Sequence, residues 1–113
     1  MLTKDISFII PVYNRPDEVK ELLESFTNLE DNKDFEIVII EDGSTLTSKF
    51  IVGEFKGRLN ISYYFKKNSG PGDSRNYGMK LAKGTYFIIL DSDCILPKNY
   101  LNNVLKNLNK DYY

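Results

Sequence analysis

The chain has 113 residues, 42% of them hydrophobic, and a formal net charge of −1. That length suits one modest domain with its own core, and that composition argues against disorder. The near-neutral charge leaves no basic footprint for nucleic acid, the absence of His removes the commonest general base and makes zinc chemistry unexpected, and the single Cys94 excludes an intramolecular disulfide.

The first strand is read over Ser7-Phe-Ile-Ile-Pro-Val-Tyr13, with Pro11 near its end where ladder pairing stops. Pro16 suits a first helical position, and Asp17 and Glu18 suit the helix dipole. Val19, Leu22, Leu23 and Phe26 then mark one face of a helix. The second strand, Phe35-Glu-Ile-Val-Ile-Ile40, ends in turn and cap chemistry at Glu41-Asp-Gly-Ser44. Leu46, Phe50, Ile51 and Phe55 predict a second helix, which Gly53 weakens. Ile61 to Phe65 reads as a third strand, followed by Lys66 and Lys67 as a solvated basic pair and by an Asn68–Gly72 loop. A third helix is expected over Asp73–Lys83, with Gly84 as the residue after its cap. A fourth strand spans Thr85–Leu90. Pro97 opens a last helix carrying Tyr100, Leu101, Val104, Leu105 and Leu108.

Strand and helix alternate, which predicts an α/β fold: three α/β/α layers around a mainly parallel, four-stranded sheet with right-handed crossovers. The whole chain reads as one domain. No apolar run approaches the ~18 residues of a membrane span. No signal-peptide pattern opens the chain, so a cytoplasmic location is expected, at the inner face of the membrane for a longer protein with an anchor.

Polar and glycine residues follow all four strands: Tyr13 and Asn14, then Glu41 to Ser44, then Asn68, Gly70, Gly72 and Arg75, then Asp91 and Asp93. Ligands of open α/β sheets bind at that edge. In an extended segment Asp91 and Asp93 point the same way, about 6.6 Å apart, and two hard oxygen ligands suit Mg²⁺ or Mn²⁺ with substrate phosphates. A helix cap is the structural reading of the same pair. Asp42 is open to two uses, accepting hydrogen bonds from a base or ribose and capping the helix after Gly43. Arg75, expected in the first helical turn, opposes the dipole there and suits carbonyl and phosphate oxygens, or else is a solvated side chain. Gly78 inside the third helix is explained by close packing on the sheet. Cys94 is read as a small apolar filler beside the acids, with a reactive thiol as the alternative. Neither a phosphate-binding Gly-x-x-x-x-Gly-Lys loop nor the dinucleotide fingerprint is present.

Four segments, Phe8-Ile-Ile-Pro-Val-Tyr-Asn14, Glu36-Ile-Val-Ile-Ile-Glu-Asp-Gly-Ser44, Asn68-Ser-Gly-Pro-Gly-Asp-Ser-Arg-Asn-Tyr-Gly78 and Gly84-Thr-Tyr-Phe-Ile-Ile-Leu-Asp-Ser-Asp93, resemble the family 2 glycosyltransferases in order and spacing. The resemblance implies a truncated GT-A, Rossmann-like fold with strand order 3-2-1-4. It implies that Pro11, Tyr13 and Asn14 line a nucleotide pocket and that Asp42 reads the base, usually uracil. Asn68 and Gly70 join that pocket, and Arg75 lies beside base and diphosphate. Asp91 and Asp93 become the Asp-x-Asp motif, contacting ribose and the Mg²⁺ or Mn²⁺ that bridges the diphosphate. The implied reaction moves a sugar, with inversion, from a nucleoside-diphosphate sugar to a hydroxyl of a saccharide, lipid-linked or other acceptor.

Asp73 and Ser74 depart from the small apolar residues usual in the family, and Cys94 from a further acid. The general base is expected beyond residue 113, since Asp111 lies too near the end to match it. The chain therefore reads as the nucleotide-binding half of a longer transferase, inactive or nearly so alone. The alternative is a non-catalytic nucleotide-binding or interaction module, with self-association through a fourth-strand flank and last helix left uncovered. A haloacid-dehalogenase-like phosphatase and a phospho-receiver both need their acids after the first strand.

Overall fold

The structure is a computed structural model that describes residues 3–30 and 33–108; Asp111 lies outside them. Four strands, β1 (Ile6–Val12), β2 (Glu36–Asp42), β3 (Asn60–Lys66) and β4 (Tyr86–Ile89), form one sheet in the order β3-β2-β1-β4. Each pairing is parallel, as the alternation with helices requires. The helices are α1 (Pro16–Thr27), α2 (Lys49–Phe55), α3 (Pro71–Leu81) and α4 (Tyr100–Leu108). The expected order 3-2-1-4 and the three layers are both found.

The period-2 alternation of the strands divides two cores. Phe8 and Ile10 of β1 and Ile37 and Ile39 of β2 are fully buried on the face covered by α1, α2 and α4. There Phe8 meets Phe26 and Phe35 edge-on, with ring centroids 5.0 and 5.2 Å apart. Ile9, Val38 and Ile40 point the other way, where Met79 and Leu81 of α3 pack on them. A Cβ on Gly78 would stand 2.6 Å from Ile9 Cγ2, so the glycine is the close contact expected.

Several boundaries differ from the sequence reading. α2 starts at Lys49, after an irregular stretch in which Leu46 is exposed. α3 starts two residues early, because Pro71 takes the first helical position and Gly70, at φ 98°, precedes it. Gly84 does not terminate α3; the helix ends at Leu81, with Ala82 as its cap. Gly84 instead lets two backbones meet: its N–H donates to Ser7 Oγ at 2.8 Å, and a Cβ there would stand 2.8 Å from the Asp5 carbonyl oxygen. α4 begins at Tyr100 and not at Pro97, whose carbonyl accepts the Tyr100 N–H at 2.9 Å. Its Leu101 is fully buried, so the last helix is not the uncovered surface anticipated. The β4 flank is: Tyr86, Phe87 and Ile89 are exposed. Among the described residues no helix is long and apolar enough to cross a membrane.

Candidate functional site

Parallel pairing brings the ends of β1, β2 and β3 to one edge of the sheet. There Pro11, Val12, Tyr13, Asp42, Asn68, Gly70 and Pro71 line a cavity of about 330 Å³, within the range of small-molecule sites. A larger hollow of about 580 Å³ lies on α2, between Thr47, Lys49, Phe50, Gly53 and Glu54. It contains none of the strand-end residues, so the smaller cavity is the candidate site.

Asp42 is the polar centre of that cavity. Register places it opposite Lys66 on β3, on the α3 side of the sheet. Its Oδ1 accepts Lys66 Nζ at 2.5 Å and the Ser69 N–H at 2.9 Å, and its Oδ2 accepts the Gly70 N–H at 3.0 Å. Burial alone pushes this carboxyl up; the Lys66 hydrogen bond, the two backbone N–H groups and the Lys66 charge outweigh it and hold the pKa below the ordinary value. Asp42 does not cap α2, which Ser48 precedes. It fastens the approach to α3 instead. Gly43, at φ 68°, makes this possible, since a Cβ would stand 2.6 Å from the Asn68 nitrogen. Lys66 is thus no solvated strand end: its side chain is 12% exposed and also donates to Ser69 Oγ at 2.5 Å.

Glu41 went unnoticed as a functional residue. It is fully buried and faces the other side of the sheet. Its carboxylate accepts the Ser48 N–H and Oγ, both at 2.8 Å, Tyr63 Oη at 2.9 Å, and Ser44 Oγ. Burial, and then the Glu41 carboxylate, raise the Tyr63 phenol above its ordinary range. Ser44 Oγ in turn accepts the Asn14 N–H at 2.8 Å, and Asn14 Oδ1 accepts the N–H groups of Thr45 and Leu46 at 2.9 and 3.0 Å. Asn14 holds a left-handed backbone at φ 52°. These bonds lock the β1 and β2 termini together and set Tyr13, 53% exposed, at the cavity wall.

Asp91 and Asp93 follow β4 on the same edge, but not as an extended pair. The Cys94 N–H donates to the Asp91 carbonyl at 3.2 Å, which closes a turn over Asp91–Cys94. The extended spacing therefore does not apply. Both side chains are exposed, and neither lines the cavity. No group of three or more Cys, Asp or Glu able to hold a metal occurs among the described residues. Two free, hard carboxylates nevertheless suit Mg²⁺ or Mn²⁺ when substrate oxygens and water complete the shell. Arg75 falls in the second turn of α3, not the first, so the dipole argument for it lapses. It is exposed and donates from Nε to the Pro71 carbonyl at 3.2 Å. Cys94 is half-buried against the core, as an apolar filler is.

The structure thus gathers Pro11, Tyr13, Asp42, Asn68 and Gly70 in one cavity, with Asn14 bracing it, and leaves Arg75, Asp91 and Asp93 on the same edge outside its lining.

A family model described as "Glycosyl transferase family 2" matches residues 7–113. An uncharacterized glycosyltransferase of Rickettsia felis is 40% identical over 108 residues, covering 96% of this chain and 18% of that protein. Poly(ribitol-phosphate) beta-N-acetylglucosaminyltransferase TarS of Staphylococcus aureus is 34% identical over 100 residues, or 86% of this chain and 18% of TarS. The crystal structure of a TarS segment in complex with UDP-GlcNAc superposes with a TM-score of 0.84 at 33% identity, covering 90% of this chain and 30% of that one. Mannosyltransferase PcManGT from Pyrobaculum calidifontis, in complex with GDP-Man and Mn²⁺, shares the fold at a TM-score of 0.85 and 22% identity, over 94% of this chain and 32% of that one. The chain spans under a fifth of the two curated relatives and about a third of the solved ones.

Proposed function

The chain belongs to glycosyl transferase family 2, and we propose that it forms the donor side of a transferase using a nucleoside-diphosphate sugar, with UDP as the nucleotide. The observation that carries this reading is the cavity where Pro11, Tyr13, Asp42, Asn68 and Gly70 meet at the ends of three parallel strands. Tyr13 offers a ring face to a base. Asp42, ionised and acceptor-only, takes an N–H of the base. The UDP-GlcNAc held by the similar TarS structure supports uridine.

Asp91 and Asp93 would hold Mg²⁺ or Mn²⁺ at the mouth of the site. Such an ion, when bound, neutralises the charge that develops on a departing diphosphate. Arg75 is assigned to the diphosphate from the same edge of the sheet. For the protein at the length of its relatives, the proposed reaction is in-line attack of an acceptor hydroxyl on the anomeric carbon, with inversion. The bond from that carbon to the diphosphate oxygen breaks, the nucleoside diphosphate leaves with the electron pair, and the hydroxyl proton passes to a general base. A polysaccharide-type acceptor is supported by the poly(ribitol-phosphate) named for TarS.

A second reading, a nucleotide-binding or interaction module that self-associates, is favoured by the exposed Tyr86, Phe87 and Ile89 of β4. Thermal denaturation with UDP and with GDP, each with and without Mn²⁺, decides between them. Metal-enhanced stabilisation by UDP supports the donor site; no shift with either nucleotide sinks it and leaves the module.

A further inference from the structure

We propose that Lys66 is a positioning residue of this site: its ammonium clamps Asp42 Oδ1, so that Asp42 meets the base as a fixed, ionised acceptor. The inference rests on the nucleotide reading above and adds a residue to it that lines no part of the cavity.

The geometry is specific. The β2–β3 register sets Lys66 directly opposite Asp42, and both side chains are largely removed from solvent, at 12% and 6% exposure. The ammonium also donates to the Lys67 carbonyl at 3.2 Å and to Ser69 Oγ at 2.5 Å, so its three donors are all directed. On the carboxylate, Oδ1 already takes two donors. Oδ2 takes the Gly70 N–H at 3.0 Å and a long contact from Asn68 Nδ2 at 3.5 Å, so it is the less committed oxygen. Lys66 thereby leaves Oδ2 as the acceptor available to a ligand.

Charge gives the second part of the argument. A carboxylate this buried is costly unless a cation sits beside it. Lys66 is the charged side chain in contact with Asp42. Glu41 points to the opposite face, Arg75 is exposed and bonded to the Pro71 carbonyl, and Asp73 at the start of α3, Lys67 and the Tyr13 phenol are all exposed. Without Lys66, the two backbone N–H groups alone oppose the burial that pushes the Asp42 carboxyl up. A protonated Asp42 offers an O–H where an N–H of the base needs an acceptor.

The test is UDP affinity of the full chain and of its Lys66→Met and Lys66→Arg variants by calorimetric titration across pH. Comparing variant with unaltered chain at each pH cancels the ionisation of UDP itself. The ratio of unaltered to Lys66→Met affinity should widen as pH falls from about 7.5 towards the carboxyl's ordinary 3.8, by up to about tenfold for each unit by which the variant's pKa lies above the unaltered one. Lys66→Arg should bring the ratio back near unity. UDP binding by the unaltered chain with a flat Lys66→Met ratio overturns the role of Lys66 and leaves the nucleotide reading intact. No UDP binding by the unaltered chain overturns the nucleotide reading itself. Should Lys66→Met not fold, ¹³C titration of the Asp42 carboxyl in the UDP-bound unaltered chain replaces it. A titration midpoint below the carboxyl's ordinary 3.8 supports the clamp, and one at or above 3.8 refutes it.

Discussion

Glu41 and Asp42 stand side by side at the end of β2, yet their carboxylates go to opposite faces of the sheet and fasten different helices. Glu41 accepts the N–H of Ser48, the residue before α2, and Asp42 accepts the N–H of Gly70, the residue before α3. One strand end thus fixes the loops on both sides of the cavity, which keeps its polar groups in place before a ligand arrives.

Among the described residues Glu41 is held by hydroxyl and N–H donors, so its loss strands several of them. Glu41→Ala leaves Tyr63 Oη and the Ser48 N–H and Oγ without their acceptor. A loss of about 3 kcal/mol is expected, since each stranded buried group costs roughly 1–3 kcal/mol. Urea denaturation measures it, and a change within about 0.5 kcal/mol, typical of ordinary surface substitutions, contradicts the role.

Asp42 and Tyr63 set opposite limbs of the stability–pH curve. The folded pKa of Asp42 lies below its ordinary 3.8. Its contribution is therefore complete above that value and lost as pH falls through the folded pKa. The folded pKa of Tyr63 lies above its ordinary 10.0. Its contribution is complete below that value and lost as pH rises through the folded pKa, because the unfolded phenol ionises first. Denaturant midpoints across pH should show a shallower acid limb in Asp42→Asn and a shallower alkaline limb in Tyr63→Phe. Unchanged limbs would contradict both assignments.

Two glycines should respond unequally to alanine. At Gly78 the new Cβ meets a side-chain methyl, Ile9 Cγ2, at 2.6 Å. Alanine's higher helix propensity returns about 1 kcal/mol against an overpacking cost of roughly 1–3 kcal/mol. At Gly84 the Cβ meets backbone, the Asp5 carbonyl oxygen at 2.8 Å and the Ser7 nitrogen at 2.9 Å, which cannot turn aside. Gly84→Ala should be the more destabilising in parallel urea melts. The reverse order would mean that the 84–85 segment does not pack on β1 as described.

These residues show what the sequence made legible. The run Ile37–Ile40 and its neighbours announced strands by composition, and alternation with helices made the sheet parallel. Individual strand ends were also readable, because turn and cap residues interrupt apolar runs. Register was not, and the Asp42–Lys66 pair depends on it: 24 residues of chain separate the two, and only the pairing of β2 with β3 sets them opposite. Gly84 misled for a related reason. A glycine after a helix reads as a cap, whereas its actual neighbours, Asp5 just before β1 and Ser7 within it, lie nearly eighty positions away. Glu41 passed for turn chemistry because its partner Tyr63 comes from β3.

Asp93→Asn separates the metal from the nucleotide. With one exposed carboxylate of the turn removed, the Mn²⁺-dependent part of the UDP thermal shift should vanish while the metal-free part persists. A variant that keeps its full Mn²⁺ effect would take Asp93 out of the metal site.

The central claim is that the cavity around Asp42 takes a nucleoside diphosphate. Its most direct test is a ¹H–¹⁵N NMR titration of the chain with UDP, first in a chelator and then with Mg²⁺. Saturable shifts of the Ser69 and Gly70 amides, whose protons point at Asp42, are predicted with UDP alone, and shifts of the Asp91–Cys94 amides once Mg²⁺ is added. A spectrum that UDP leaves unmoved at Ser69 and Gly70, with or without the ion, would contradict the account.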